Sequence, residues 1–300
     1  MKIPVSKYHG CGNDFLLIPE EIVAGWSEEE RKELIVTLCD RHTGIGADGM
    51  IFPTREPFEM IYYNQDGSRA DMCGNGIRCL ACWLVDHQYT DQSILQIQTL
   101  AGERTIEILS RHPFICRVCM GKPEFDSEKN GIQGSLSLWN TPVLTEAGEY
   151  VLNSFYMNTI HTVVFVQEDP FDPRWAVPGS AICHHPLFTK QTNINFVQVL
   201  DSSHIKAATW ERGCGMTLAC GTGMCASVVA ACRQKKTGNQ VHVQMKKGTL
   251  DIEIQDDGTV FMSGPAARIL EGEADYEKQA GILLPLFRTE NEESERRNRI

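Results

Sequence analysis

Two short segments of the 300-residue chain carry a thiol in the same setting. They are Cys73-Gly74-Asn75-Gly76 ahead of the apolar stretch Ile77–Val85, and Cys220-Gly221-Thr222-Gly223 ahead of Met224–Cys232. Each reads as a cysteine at the mouth of a helix, where unpaired backbone N–H groups and the positive end of the dipole gather. Such a place holds anions and is expected to lower a thiol pKa. The glycines let a ligand approach the backbone closely. A carboxylate lying across both helix starts would meet N–H groups of Gly74, Asn75, Gly221 and Thr222, with its α-carbon between two sulfurs. One sulfur, as thiolate, would take the α-proton. The other, as thiol, would deliver one to the opposite face, while the N–H groups hold the developing charge. Two sulfurs so placed are also expected to pair on oxidation after a small adjustment. The plainer reading is two small residues capping buried helices.

Other polar residues invite a role with less specificity. Asn13-Asp14 follows Gly10-Cys11-Gly12 and reads as a ligand loop or an ordinary Asx turn. Asn64, Glu211 and Arg212 precede the cysteines by similar spacings. Glu211-Arg212 ends the apolar strand Ala207–Trp210, a place from which to recognise an ammonium and a carboxylate. His161 opens the apolar strand Thr162–Val166, where a histidine is more often structural. Cys79-x-x-Cys82 and Cys116-x-x-Cys119 raise a four-cysteine zinc site. A strand would turn Cys116 and Cys119 to opposite faces, which argues against it.

The elements that would position these groups repeat. Tyr63-Asn64 stands as far ahead of Cys73 as Trp210-Glu211 stands ahead of Cys220. Downstream, with one residue of slip, Ile97-Gln98, Gly102 and Ile106-Glu107-Ile108 fall on Val243-Gln244, Gly248 and Ile252-Glu253-Ile254. This is the signature of a duplicated domain and not of a short-period solenoid. Short β-branched and aromatic runs predict strands at Phe15–Ile18, Met50–Phe52, Ile61–Tyr63, Leu95–Gln98, Thr105–Leu109, Phe114–Cys119, Thr162–Val166, Asn195–Val199, Lys206–Trp210, Val241–Met245, Leu250–Ile254 and Val260–Ser263. Helices are predicted at Ser27–Cys39, with a Ser27/Glu30 capping box, and at Gly74–Val85 and Gly221–Gln234. The last two are greasy on every side and should be buried, wrapped by sheet. The class is α+β: two similar mixed domains, each a sheet around a central helix. Gly121–Gly148 reads as the polar connection between them.

Hydrophobic residues make up 42% and charged residues 22%, a globular composition with a substantial core. A net charge of −11 argues against nucleic acid and against an anionic membrane surface. The N-terminal residues lack a signal core and no apolar run reaches the length of a membrane span, so a cytoplasmic location is expected. Twelve cysteines are too sparse for a disulfide scaffold and fit free thiols in a reducing compartment.

The two cysteine segments, Lys7–Phe15, Arg41–Gly49 and Glu211-Arg212-Gly213 together closely resemble the diaminopimelate epimerases. The resemblance covers roughly residues 3–274. It implies a cofactor-independent isomerase, with no metal, that interconverts LL- and meso-diaminopimelate for lysine and peptidoglycan precursor synthesis. It implies two domains, 1–118 with 262–275 and 119–261, so that Phe261–Glu273 rejoins the first. The tail 276–300 would be helical or disordered. By motif, Cys73 and Cys220 become the acid/base thiols, with His161 and Glu211 as their respective polar partners. Gly74-Asn75 and Gly221-Thr222 would hold the reacting carboxylate. Asn13, Asn64, Thr159, Asn193, Glu211 and Arg212 would bind the rest of the substrate. The partner implied is a small amino acid, and a homodimer is compatible with the family. Two departures bear on the distal end: Thr159 stands where the family often has Asn, and Met216 where it often has Glu. A two-thiol racemase of another amino acid, such as histidine, is therefore the alternative enzyme. A zinc- or redox-binding module is the non-enzymatic one.

Overall fold

The computed structural model describes residues 1–125, 127–133, 137–277 and 282–283. In chain order its first stretch holds β1 (Lys2–Gly10), β2 (Asn13–Leu17), α1 (Glu28–Cys39), β3 (Gly49–Pro53), β4 (Met60–Asn64), α2 (Gly74–Asp86), β5 (Ile94–Ile97), β6 (Arg104–Arg111) and β7 (Phe114–Gly121). The second holds α3 (Ser127–Asn130), β8 (Thr141–Thr145), β9 (Gly148–Tyr156), β10 (Ile160–Phe165), α4 (Ala176–Cys183), β11 (Asn193–Val199), β12 (His204–Glu211), β13 (Gly215–Thr217), α5 (Gly221–Arg233), β14 (Gln240–Met245), β15 (Gly248–Ile254), β16 (Val260–Pro265), β17 (Ala267–Glu277) and β18 (Ile282–Leu283). The architecture is α+β. No helix among the described residues is long and apolar enough to cross a membrane.

The repeat seen in the sequence is a repeat of structure. β2 and β3 are parallel neighbours, as are β10 and β11. The third strand is antiparallel in each set, β4 on β3 and β12 on β11. A helix of 13 residues follows each, α2 and α5. Hairpins then match in register, Leu95 facing Ile106 and Val241 facing Ile252. Six strands form one sheet in the order β18-β17-β1-β2-β3-β4. Twelve form the other, in the order β5-β6-β7-β16-β15-β14-β12-β11-β10-β9-β8 with β13 on β12. The end of the chain returns to its beginning: β16 pairs with β7, and β17 with β1.

Packing explains why these helices form. Gly74 through Leu84 are all buried, and α5 is buried at ten positions from Gly221 to Ala231. A helix apolar all round has no solvent face and must be enclosed by sheet. One core cluster includes residues of both helices, Ile77, Leu80 and Trp83 from α2 and Met224 and Val228 from α5. α1 starts at the expected capping box: Ser27 Oγ accepts from Glu30 N at 3.2 Å and Glu30 Oε2 from Ser27 N at 2.8 Å.

Several elements were not read from the sequence. β1 buries Ile3 and Val5 in one core cluster and Tyr8 in another, with its register shifting between Lys7 and Tyr8. Its signal is diluted by Lys2, Pro4, Lys7 and His9. α4 contains Pro178 and Gly179, which read as breakers. Pro178 lies in the first turn, where its missing N–H costs nothing. Gly179 is there for contact, since a Cβ would lie 2.8 Å from Trp210 Cβ. The predicted connection Gly121–Gly148 contains α3 and β8, while 126 and 134–136 lie outside the described residues. The tail departs from expectation at its start. Tyr276 and Glu277 continue β17 and pair with Leu283 and Ile282 of β18. Tyr276 is buried and stacks on Trp26 at 6.1 Å, which anchors it. Residues 278–281 and 284–300, where the rest of that expectation falls, lie outside the described residues.

Candidate active site

The two helix starts meet. Cys73 and Cys220 both cap their helices in extended conformation, at φ −133°, ψ 122° and φ −123°, ψ 103°. A Cβ built on Gly74 would lie 3.9 Å from Gly221 Cα and 3.0 Å from Met262 Cε. The two helix mouths therefore abut, and the glycines make room for the Met262 side chain packed against both. Asn75 ties them together: its Nδ2 donates to Ala219 O and to Asn13 Oδ1, each at 3.0 Å. Its Oδ1 accepts from Nη2 of Arg78 at 3.0 Å. Arg78 is fully buried, and its guanidinium also donates to the carbonyls of Gly74 and Pro265.

On the first side, the Cys73 thiol faces Asn13 Oδ1 at 3.8 Å. Asn13 is held in turn by Asp48, whose Oδ2 accepts from Asn13 Nδ2 at 2.7 Å. Arg41 binds both Asp14 and Asp48, and Lys7 pairs with Asp14 at 2.9 Å. The Arg41–Gly49 motif thus supports Asn13 from behind. Asp14 sits against burial that would raise its pKa, but the bonds from Arg41 and Lys7 prevail and lower it. Asn64, at the end of β4, accepts from the Tyr62 hydroxyl at 2.8 Å and donates to Ser68 Oγ at 3.0 Å.

On the second side, Thr222 Oγ1 is 3.5 Å from Cys220 Sγ. His161 Nε2 is 3.0 Å from Thr222 Oγ1, and its Nδ1 is 3.1 Å from Asn195 Nδ2. Glu211 accepts from Thr217 Oγ1 at 2.5 Å, and its charge acts on the Cys220 thiol. Burial raises the Glu211 pKa, against the bond from Thr217 and the nearby thiol. Arg212 is exposed, with Nη1 on Lys190 O at 2.7 Å and its backbone N–H on Asn193 Oδ1 at 2.8 Å. Thr159 is partly buried beside Asn158, whose amide donates to Met120 O.

Two expectations are corrected by this geometry. The helix starts do not leave low-pKa thiols. Burial pushes Cys73 up to about 11, although the N–H groups of Gly76 and Asn75 pull the other way and Glu211 adds to the rise. Burial, with Glu211, lifts Cys220 well above the ordinary thiol range despite Thr222 and the Gly223 N–H. Loss of water outweighs two or three hydrogen bonds, so both groups favour the thiol form. Secondly, His161 does not hydrogen-bond Cys73. It opens β10, next to β11 and α5, and its ring reaches Thr222 on the Cys220 side. All twelve cysteines are free thiols. The zinc reading finds no support in position: Cys116 is buried while Cys119 faces the other side of β7, and no cluster of three or more His, Cys, Asp or Glu forms among the described residues.

Sequence reasoning gave no role to Asp48, Tyr62, Arg78 or Asn195, nor to the side chains of Asn75 and Thr222. The signals were faint but present. Arg78 is a charge in an otherwise apolar helix, and Asn195 is a polar residue inside Ile194–Val197.

Solved structures share the fold. A hydroxyproline epimerase from Agrobacterium vitis aligns over 91% of this chain and 90% of its own, with a TM-score of 0.67 and 12% identity. A PhzF-family phenazine biosynthesis protein from Bacillus anthracis aligns over 91% and 99%, with a TM-score of 0.64 and 16% identity. The duplicated fold is that of these proteins, and in this chain it brings two cysteine-bearing helix mouths together. At the level of sequence, the family model described as Diaminopimelate epimerase matches residues 5–125 and 154–269. The diaminopimelate epimerase of Halothermothrix orenii is 39% identical over 284 residues, covering 91% of this chain and 98% of its own. That of Pelotomaculum thermopropionicum is 38% identical over 279 residues, covering 90% and 98%. The chain belongs to the diaminopimelate epimerase family.

Proposed function

We propose that the protein interconverts LL- and meso-diaminopimelate without an added cofactor, by proton transfer between Cys73 and Cys220. The observation that carries this reading is the meeting of the two helix mouths, each with its thiol, in a chain of this family. The reacting carboxylate lies on the N–H groups of Gly74, Asn75, Gly221 and Thr222, where the charge of the carbanion is stabilised. Glu211 is the proton acceptor for Cys220. Transfer of the thiol proton to its carboxylate breaks the S–H bond, forms an O–H bond and leaves the thiolate that takes the α-proton in one direction. Burial favours the thiol form of both cysteines, so a proton acceptor beside Cys220 is needed to form the thiolate. Cys73, facing Asn13, delivers its thiol proton to the carbanion on the other side and is left as the thiolate. The reverse reaction starts from that thiolate, and the proton held by Glu211 returns to Cys73 by exchange with solvent once product has left.

Asn13, Asn64, Thr159, Asn193 and Arg212 contact the substrate away from the reacting carbon, Arg212 as the exposed cation for the distal carboxylate. His161 acts on the Cys220 side through Thr222. The two lobes are 1–118 with 262–275, and 119–261. The pathway reading is lysine and peptidoglycan precursor synthesis in the cytoplasm, where twelve free thiols persist; a homodimer, and no nucleic-acid partner, complete it. The test is incubation of metal-free protein, without pyridoxal phosphate, with LL-diaminopimelate and in parallel with L-histidine, with isomers resolved by chiral chromatography. Conversion to the meso form is expected. Turnover of histidine with none of diaminopimelate would instead establish the alternative racemase.

A further inference from the structure

A line of hydrogen bonds runs from the interior of the second lobe to Cys220, and nothing in the proposed chemistry requires its first members. Thr209 Oγ1 is 2.9 Å from Asn195 Oδ1. Asn195 Nδ2 is 3.1 Å from His161 Nδ1 and 3.4 Å from the Thr162 carbonyl. His161 Nε2 is 3.0 Å from Thr222 Oγ1, which is 3.5 Å from Cys220 Sγ. Thr209, Asn195 and His161 are all buried.

The directions of these bonds can be assigned. A carbonyl oxygen only accepts, so the amide atom near Thr162 O must be the NH2 group of Asn195. That group then donates to His161 Nδ1, which must be bare. Burial pushes the imidazole down to about 3, so the ring is neutral and its one proton sits on Nε2. Nε2–H donates to Thr222 Oγ1. The Thr222 hydroxyl hydrogen is therefore left to point at Cys220 Sγ.

We infer that Asn195 is a positioning residue that fixes the tautomer of His161 and so aims the Thr222 hydroxyl at the Cys220 sulfur. With the direction set, the thiolate formed when Glu211 takes the proton meets a ready O–H donor. With the other tautomer, Nε2 would accept from Thr222 and draw that donor away. His161 then serves as a donor and not as the base for either thiol. The packing around Asn195 is specific to it. A Cβ on Gly223 would lie 2.3 Å from Asn195 Oδ1 and 2.9 Å from Thr209 Oγ1, so α5 seats directly on this pair. In the first lobe the corresponding glycine, Gly76, faces the apolar Met60 and Ile51.

The catalytic part of this inference rests on the proposed function, whereas the tautomer does not. The experiment is ring-nitrogen NMR on protein carrying 15N-imidazole histidine, with the His161 signals assigned as those lost in His161→Gln. The wild-type protein is expected to show a non-titrating ring with Nε2 protonated and Nδ1 bare. In Asn195→Asp the carboxylate accepts from Nδ1–H, and the proton is expected to move to Nδ1. Alkylation of Cys220 at fixed pH should slow, and kcat for diaminopimelate should fall about tenfold or more, with KM within about twofold because Asn195 lies behind the binding surface. Thr222→Val should slow alkylation likewise, and Thr222→Ser should restore it. If Asn195→Asp fails to fold, the wild-type spectrum and the Thr222 pair decide the matter. A wild-type ring protonated at Nδ1, or alkylation at the wild-type rate in Thr222→Val, would overturn the inference. If diaminopimelate is not turned over at all, the proposed function fails while these two readouts still stand.

Discussion

The two lobes lay the same backbone around the same thiol and surround it with different chemistry. Asn13 and His161 stand at the starts of β2 and β10, Asn64 and Glu211 at the ends of β4 and β12, Asn75 and Thr222 on the first turns of α2 and α5. On the Cys73 side every one of these is an amide. The support behind them is ionic: Lys7, Asp14, Arg41 and Asp48 form one cluster around Asn13. On the Cys220 side there is a carboxylate, an imidazole and a hydroxyl, and the support is neutral, through Asn195 and Thr209. Duplication supplied two facing thiols. Divergence of the surroundings gave each different neighbours, Asn13 at Cys73 and Thr222 with His161 at Cys220. That asymmetry suits two substrates that differ in the configuration of one carbon.

The comparison breaks most readily at the sulfurs. Cys73→Ala and Cys220→Ala are each expected to reduce epimerisation at least 10²–10⁴-fold, the usual range for an acid/base group. Initial rates with LL- and meso-substrate measure this. Substantial turnover by either variant would mean that the lobes are not equal partners. Next is Glu211, the one acid among the lining residues of the two thiols. Glu211→Gln should lower kcat about 10²-fold. It should also speed alkylation of both cysteines, because burial and the Glu211 charge together raise both thiol pKa values and the charge is gone. Opposite signs in the two assays separate loss of a proton acceptor from general damage.

How far the sequence led differs between the lobes for the same physical reason. Cys73, Cys220, Glu211 and their glycines stood out because a repeated Cys-Gly-x-Gly at a helix mouth has few uses. The helices were legible from their unbroken apolar character, and α1 from its capping box. Asn195 and Arg78 were not legible as functional groups, because their partners come from strands far off in sequence: Thr209 and Thr162 for one, Pro265 for the other. The elevated thiol pKa values were misread because sequence shows the N–H groups of a helix start but not the burial that outweighs them. β1 and β17 were obscured because neither alternates cleanly: β1 sends Ile3 and Val5 to one core cluster and Tyr8 to another, and β17 leaves Ile269 and Leu270 exposed.

The smallest expected effect concerns the ionic support of the first lobe. Asp14 has a depressed pKa in the folded protein, so its contribution to stability is full above the ordinary carboxylate range, near pH 4, and is lost as pH falls through the lower folded value. Asp14→Asn should remove that part of the acid dependence. Denaturation midpoints measured between about pH 5 and pH 2 should then vary less with pH than in the wild type. The Cys220 side carries an acid dependence of another kind: His161 is held neutral by burial down to about pH 3 and takes up a proton on unfolding, so His161→Gln should also flatten the acid slope.

The central claim is that the two thiols serve opposite faces of one carbon, and exchange with heavy water tests it most directly. LL-diaminopimelate is incubated with the wild-type protein in deuterium oxide and sampled early, with product and recovered substrate separated. With two thiols, the proton leaves to one sulfur and a deuteron arrives from the other. The meso product should therefore carry deuterium at the inverted α-carbon, while recovered LL-substrate keeps its proton. Deuterium appearing at equal initial rates in substrate and product would mean a single base acting on both faces, and would contradict the account.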